Sequence, residues 1–151
     1  MPKKQIIQEP DLIIDSLYIG DAKMASNVSL LQRYQITHIV NCASELKSNE
    51  RKYNQMFNYL MLPMVDGFDT DLNDYITTVI EFIEDALENK GNVFIHCSQG
   101  ISRSASILIA YLMYKYNTPY DETLEFVRQS RPECKPNGFF EYQLKSLMLP
   151  H

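Results

Sequence analysis

An apolar, β-prone run, Asn92-Val93-Phe94-Ile95, is separated from a helical apolar stretch, Ser106 to Met113, by ten residues: His96-Cys97-Ser98-Gln99-Gly100-Ile101-Ser102-Arg103-Ser104-Ala105. Both flanks are too apolar for a surface, so a buried strand must feed a buried helix through one short loop. A strand apolar at every position needs cover on both faces, which points to a sheet packed between helices. The loop sits at the strand's end. There, successive backbone N–H groups and the unpaired N–H groups of the helix start together form a concave site for an anion.

The side chains on this loop suit a phosphate ester. Only a thiolate is a good nucleophile, and the helix start, the loop amides and Arg103 all favour the charged form of Cys97. The planar fork of Arg103 can hold two phosphoryl oxygens at once, which lysine cannot do. Gly100 gives the loop its conformational freedom and lets backbone approach the ligand. The Ser104 hydroxyl lies where it can donate to the sulfur and improve it as a leaving group. Ser98, Gln99, Gly100, Ile101 and Ser102 would line the anion site. Strand alternation turns His96 to the opposite face, where a neutral imidazole bonds backbone and stiffens the loop; proton transfer to substrate is the weaker alternative.

Along the rest of the chain, Leu12-Ile13-Ile14 and Leu17-Tyr18-Ile19-Gly20 flank Asp15-Ser16 as a hairpin or two short strands. Ala25 to Tyr34 reads as a short helix, Thr37 to Ala43 as a buried strand, and Ser44 to Phe57 as a solvated loop or frayed helix. Asn58 to Val65 is another strand. Leu72 to Leu87 is a long amphipathic helix stopped by Asn89-Lys90-Gly91, with Gly91 in a capping position and Glu81, Glu84, Asp85 and Glu88 on its wet side. Thr118-Pro119-Tyr120-Asp121-Glu122 starts a helix to about Ser130, with Thr118 as capping hydroxyl and Pro119 at the first position. A last helix, Gly138 to Met148, turns Phe139, Phe140, Leu144 and Leu147 to the core. The fold expected is α/β, with a central, mainly parallel sheet of about five strands covered by helices on both faces.

The 151 residues, 45% of them hydrophobic, make one domain over 11–151 behind an N-terminal extension over 1–10. The net charge of −5 argues against nucleic acid as a partner. No stretch has the length of a membrane span and no leader is evident. Three widely spaced cysteines suit free thiols in a reducing compartment, so a cytoplasmic protein is expected, with the nucleus also open to it and a monomer the simplest state. The seven methionines sit at apolar positions as core filler.

The run His96-Cys97 through Arg103-Ser104 resembles the signature of the cysteine-dependent protein phosphatases, and most closely the small dual-specificity phosphatases. The resemblance extends from Ile13-Ile14 and Leu17 to Gly20, through Ile36-Thr37-His38-Ile39-Val40-Asn41, to the last helix. It implies their fold and a shallow cleft for phosphotyrosine and phosphoserine or phosphothreonine. It also implies a phosphocysteine intermediate, with no metal and no cofactor. The partner implied is a phosphoprotein, a kinase among the options. Uncharged Ser98, Gln99, Ile101 and Ser102 fit poorly with inositol lipids, whose phosphatases carry lysines in this loop. Two alternatives remain: a catalytically weak phosphoprotein-binding scaffold, and an RNA 5′-phosphatase, which would call for basic flanks.

Expelling the alcohol oxygen requires a proton donor, which the loop lacks. Asp66, Asp69 and Asp71 follow the strand ending near Val65. Asp71 reads as the cap of the long helix, and Asp69 as a solvated loop residue with the acid role still open to it. Asp66 comes directly off the strand and matches the family's acid by its distance to the following helix. Asn137 is a helix cap that the family likeness also casts as a brace behind the phosphate loop, although this chain lacks the residue the family has between Asn and Gly. Asn41 is a second candidate brace, with an ordinary strand-end hydrogen bond the simpler reading. Cys42 is a buried thiol, with an oxidised pairing to Cys97 as the alternative.

Overall fold

The computed structural model describes residues 8–147. Five strands form one sheet in the order β1-β2-β5-β3-β4: β1 is Asp11–Ile14, β2 Leu17–Gly20, β3 His38–Asn41, β4 Asn58–Met61 and β5 Val93–His96. The β1–β2 hairpin is antiparallel, and all other neighbours are parallel. The mainly parallel α/β sheet expected from sequence is therefore the one observed. β5 lies at its centre with all four residues buried, and its alternation divides the core. Val93 and Ile95 face one hydrophobic cluster with Leu17, Val40 and Leu108; Phe94 faces the other with Leu31, Ile39 and Phe57.

The larger layer holds α4 (Ile76–Glu88), α5 (Arg103–Tyr116), α6 (Tyr120–Ser130) and α7 (Gly138–Lys145). Every residue of α5 from Arg103 to Met113 is buried, because the helix runs between the sheet and α4, α6 and α7. The smaller layer holds α1 (Ala22–Ala25), α2 (Val28–Arg33) and α3 (Asn49–Tyr53).

Several elements differ from the sequence reading for local reasons. The helix expected over Ala25 to Tyr34 is α2 alone, begun at Val28 by Asn27, which accepts from the Leu30 amide at 3.1 Å; a separate turn, α1, capped by Asp21, precedes it. β4 stops at Met61, well short of Val65, and Pro63 follows with no amide to give a ladder. At the end of α4 the left-handed residue is Lys90 (φ 59°) and not Gly91. Gly91 is needed for close approach, since a Cβ there would meet Thr37 Oγ1 at 2.6 Å. Thr118 Oγ1 pairs with Thr123 Oγ1 at 2.9 Å instead of capping α6. Phe139 is only partly buried and packs on Phe68. α7 ends at Lys145; the end expected at Met148, like residues 1–7, lies outside the described residues.

Candidate active site

The parallel strands β5 and β3 deliver their C-terminal ends to one edge of the sheet, and the loop between β5 and α5 closes over that edge. Its carbonyl groups are all engaged from outside. Ser98 O accepts from Ala22 N at 3.0 Å, Ile101 O from Lys135 N at 2.7 Å, and Ser102 O from Ser106 N and Oγ. Gln99 O and Gly100 O both accept from the Arg131 guanidinium, at 3.0 and 2.8 Å. In a trans peptide the N–H points opposite to its C=O, so five carbonyls turned outward aim the following five amides inward. That is an anion cradle built by hydrogen bonding from behind. Gly100 takes the left-handed conformation this requires (φ 70°), where a Cβ would sit 2.5 Å from Gly20 O.

Cys97 lies at the base of the cradle, 3% exposed. Its Sγ accepts from Gly100 N at 3.1 Å and lies 3.1 Å from Ser104 Oγ. α5 begins with no side chain capping its amides, so those donors also face the site. Arg103 crosses it, 8% exposed. Its Nη1 donates to Glu45 Oε2 at 2.7 Å and to Met64 O at 3.0 Å, and its Nη2 donates to Glu45 Oε1 at 2.5 Å. Nη1 is thus fully committed to protein, while Nε, the second Nη2 hydrogen, which otherwise reaches only Ser98 Oγ at 3.4 Å, and the loop amides are the donors left for an incoming anion. The Arg103 hydrogen bonds, aided by Ser98 Oγ, bring the Glu45 carboxyl down to about 2 against the opposing effect of its partial burial.

Asp66, Cys97, Ser98, Gln99, Ile101, Ser102 and Arg103 line a cavity of about 260 Å³. The sequence-derived loop residues thus share one cavity with the favoured acid, although Asp66 stands five residues beyond β4 and not at the strand's end. Two donors fix it: Ser102 Oγ at 2.9 Å and Asn137 Nδ2 at 2.8 Å, both on Oδ1. Asn137 N donates to Ser102 Oγ at 3.0 Å, which directs the serine proton to the carboxylate. Asp69 is exposed and does not line this cavity, while Asp71 caps a 3-10 turn at Leu72–Asp74.

The candidate braces are arranged differently from the sequence reading. Asn137 caps α7, accepting from Phe140 N at 2.8 Å, and its amide holds Asp66, not the back of the phosphate loop. That back support comes from Arg131. Asn41 does not reach the phosphate loop either: its side chain bonds Ala43 N, Leu46 O and Tyr59 Oη, fixing the turn that presents Glu45. His96 is fully buried on the face opposite Cys97, stacked on Phe94 with Nδ1 3.2 Å from Cys97 O. Burial lowers its pKa to about 4, so the ring is neutral. Cys42 is a buried free thiol, pushed up by burial and then by the nearby Cys97.

Glu45 and Arg131 are the participants that sequence reasoning missed. Glu45 stands in a polar run that reads as solvated, and its partner is 58 residues away. Arg131 bonds groups 31 and 32 residues back. The only hint was the Arg131-Pro132 pair at the head of the segment containing Asn137.

A profile described as the dual specificity phosphatase catalytic domain matches residues 17–148. The chain belongs to the dual-specificity phosphatase family. It is 38% identical over 138 residues to Dual specificity protein phosphatase 1 of Arabidopsis thaliana, covering 91% of this chain and 68% of the relative. It is 34% identical to human Dual specificity protein phosphatase 7, covering 89% of this chain but only 32% of that protein. The chain thus spans about a third of this longer relative and 17% of the Arabidopsis Protein-tyrosine-phosphatase MKP1. Among solved structures, DUSP15 superposes with a TM-score of 0.84 at 29% identity, covering 91% of this chain and 86% of the other. A human tyrosine phosphatase-like serine/threonine/tyrosine-interacting protein gives 0.80 at 30% identity, covering 91% and 94%.

Proposed function

We propose that the chain is a metal-independent protein phosphatase hydrolysing phosphotyrosine and phosphoserine or phosphothreonine through a phosphocysteine intermediate. The carrying observation is the Cys97 sulfur accepting from Gly100 N and in contact with Ser104 Oγ, in one cavity with Arg103 and Asp66. Family membership supports protein phosphatase activity.

In the first step the Cys97 thiolate attacks phosphorus. Arg103 Nε and Nη2 and the loop amides take the equatorial oxygens, and the P–O bond to the alcohol breaks as protonated Asp66 gives its proton to the leaving oxygen. In the second, the Asp66 carboxylate takes a proton from water, the resulting hydroxide attacks phosphorus, and the S–P bond breaks. Ser104 Oγ and Gly100 N then stabilise the returning thiolate. The two-pronged Arg103 pair with Glu45 holds the guanidinium at the cradle.

Hydrolysis of para-nitrophenyl phosphate in EDTA tests the reading. Wild type is expected to turn over, and Cys97→Ser and Arg103→Ala are not. EDTA-sensitive turnover, or full activity in Cys97→Ser, would falsify it. The likeness to a phosphatase-like interacting protein favours one second reading, a phosphoprotein-binding scaffold. Tight phosphopeptide binding with no turnover by wild type would establish that reading instead.

A further inference from the structure

Beside the catalytic cavity lies a second one of about 280 Å³, lined by Asp66, Gly67, Phe68, Asn137, Gly138 and Phe139. The two cavities share Asp66. Phe68 is 82% exposed, more than any other large hydrophobic residue described as exposed. Its ring lies 5.8 Å from that of Phe139, tilted by 55°. A Cβ on Gly67 or Gly138 would meet nothing within 4 Å, so the backbone beside the rings is open.

The loop that carries Phe68 is hydrogen-bonded on both sides of the ring. Thr70 Oγ1 accepts from Val65 N at 2.9 Å and donates to Val65 O at 3.1 Å, closing the base of the loop that carries Phe68. Gln143 of α7 ties the same loop through Thr70 O and Leu72 N. Asn137 and Ser102 hold its first residue after Val65, Asp66. An exposed ring pair beside the reacting centre, on a loop already held in place, can bury an apolar surface with less loop ordering at binding.

We propose that Phe68 and Phe139 form a docking subsite for an apolar side chain, leucine, methionine or aromatic, that flanks the phosphoresidue in a peptide substrate. The proposal rests on the phosphoprotein phosphatase reading above. The occupant follows from continuity: Asp66 must touch the leaving oxygen of the phosphoresidue, so whatever enters the adjoining cavity during turnover is the chain on which that residue is carried. The free phosphate ester has no group to place there.

The test is steady-state kinetics of wild type, Phe68→Ala, Phe139→Ala and Phe68→Leu. Substrates are para-nitrophenyl phosphate, free phosphotyrosine, and phosphotyrosine peptides in which one leucine is walked through an alanine-serine background. Wild type should prefer peptides with leucine at one side of the phosphotyrosine by about 5- to 20-fold in kcat/KM, mainly through KM. Both alanine variants should lose that preference while retaining turnover of the two small esters, and Phe68→Leu should keep part of it. An equal loss on free phosphotyrosine would overturn the proposal, because the rings would then hold the reacting residue itself. So would a wild type indifferent to leucine, or a preference surviving in both alanine variants. Absence of wild-type turnover on every phosphopeptide, with para-nitrophenyl phosphate still hydrolysed, would instead reject the phosphoprotein reading on which the proposal rests.

Discussion

The His96 ring is enclosed on the side of β5 away from substrate, and Nε2 has no hydrogen-bond partner among the described residues. Burial brings its pKa from 6.5 to about 4. Below 6.5 the unfolded chain takes up a proton on this residue while the folded chain does not. Stability therefore falls with pH from 6.5 to about 4 and is recovered as pH rises. The full interval corresponds to about 3 kcal/mol. Urea midpoints measured from neutral pH to pH 4 should decline in wild type and decline less in His96→Asn, which keeps a donor for the Cys97 carbonyl; parallel curves would reject this account. Glu45 follows the opposite sign. Its lowered pKa means that the Arg103 pair contributes fully above the ordinary carboxylate range and is lost only as pH falls toward 2. The acid limb of activity above that range therefore does not come from loss of the Glu45 pair.

The loop from Val65 to Asp71 acts as an arm pinned at both ends. Thr70 and Gln143 hold its C-terminal end, while Ser102 and the Asn137 cap of α7 hold its N-terminal end at Asp66. Because Asn137 N–H occupies the Ser102 oxygen, the hydroxyl can donate only toward Asp66, and removing either group releases the acid. Ser102→Ala should reduce kcat on phenyl phosphate by about 10-fold or more and matter far less on para-nitrophenyl phosphate, whose leaving group needs little protonation. Asn137→Ala should do the same and also cost about 0.5–2 kcal/mol of stability through the lost cap. An equal slowing of both esters would show that the two residues act on the cradle and not on the acid. The Asn137 cap was legible because Asn before a helix needs only local geometry. The hold on Asp66 was not, since it joins groups 71 residues apart. Similar limits apply to the helices. The apolar pattern of Ala25 to Tyr34 carries through Asn27 without a sign that its side chain will begin the helix. Gly91 reads as a cap until β3 brings Thr37 against it.

Across the whole molecule, what the sequence made legible was whatever lay consecutive along the chain. The strand, cradle and helix from Val93 to Met113 could be placed because apolar runs fix burial and the loop between them has nowhere else to go. The groups that hold the cradle in shape come from distant elements. Arg131, at the end of α6, joins the loop carbonyls of Gln99 and Gly100 to Asp11 on the edge strand β1 and to Glu133. One buried guanidinium thus couples the sheet edge, the end of a helix and the orientation of the amides that bind phosphate. Arg131→Met leaves two carbonyls and two carboxylates without their donor. It should cost about 1–3 kcal/mol of stability and, by letting the loop peptides rotate, lower kcat/KM for para-nitrophenyl phosphate by about 10- to 100-fold. Asp11→Asn separates the two effects, since it removes the charge partner and spares both carbonyl contacts. That variant should lose stability while the folded fraction keeps near-normal kcat/KM. If Arg131→Met, assayed well below its melting temperature, retained wild-type kcat/KM, the cradle would be held by the chain's own conformation and not by the arginine behind it.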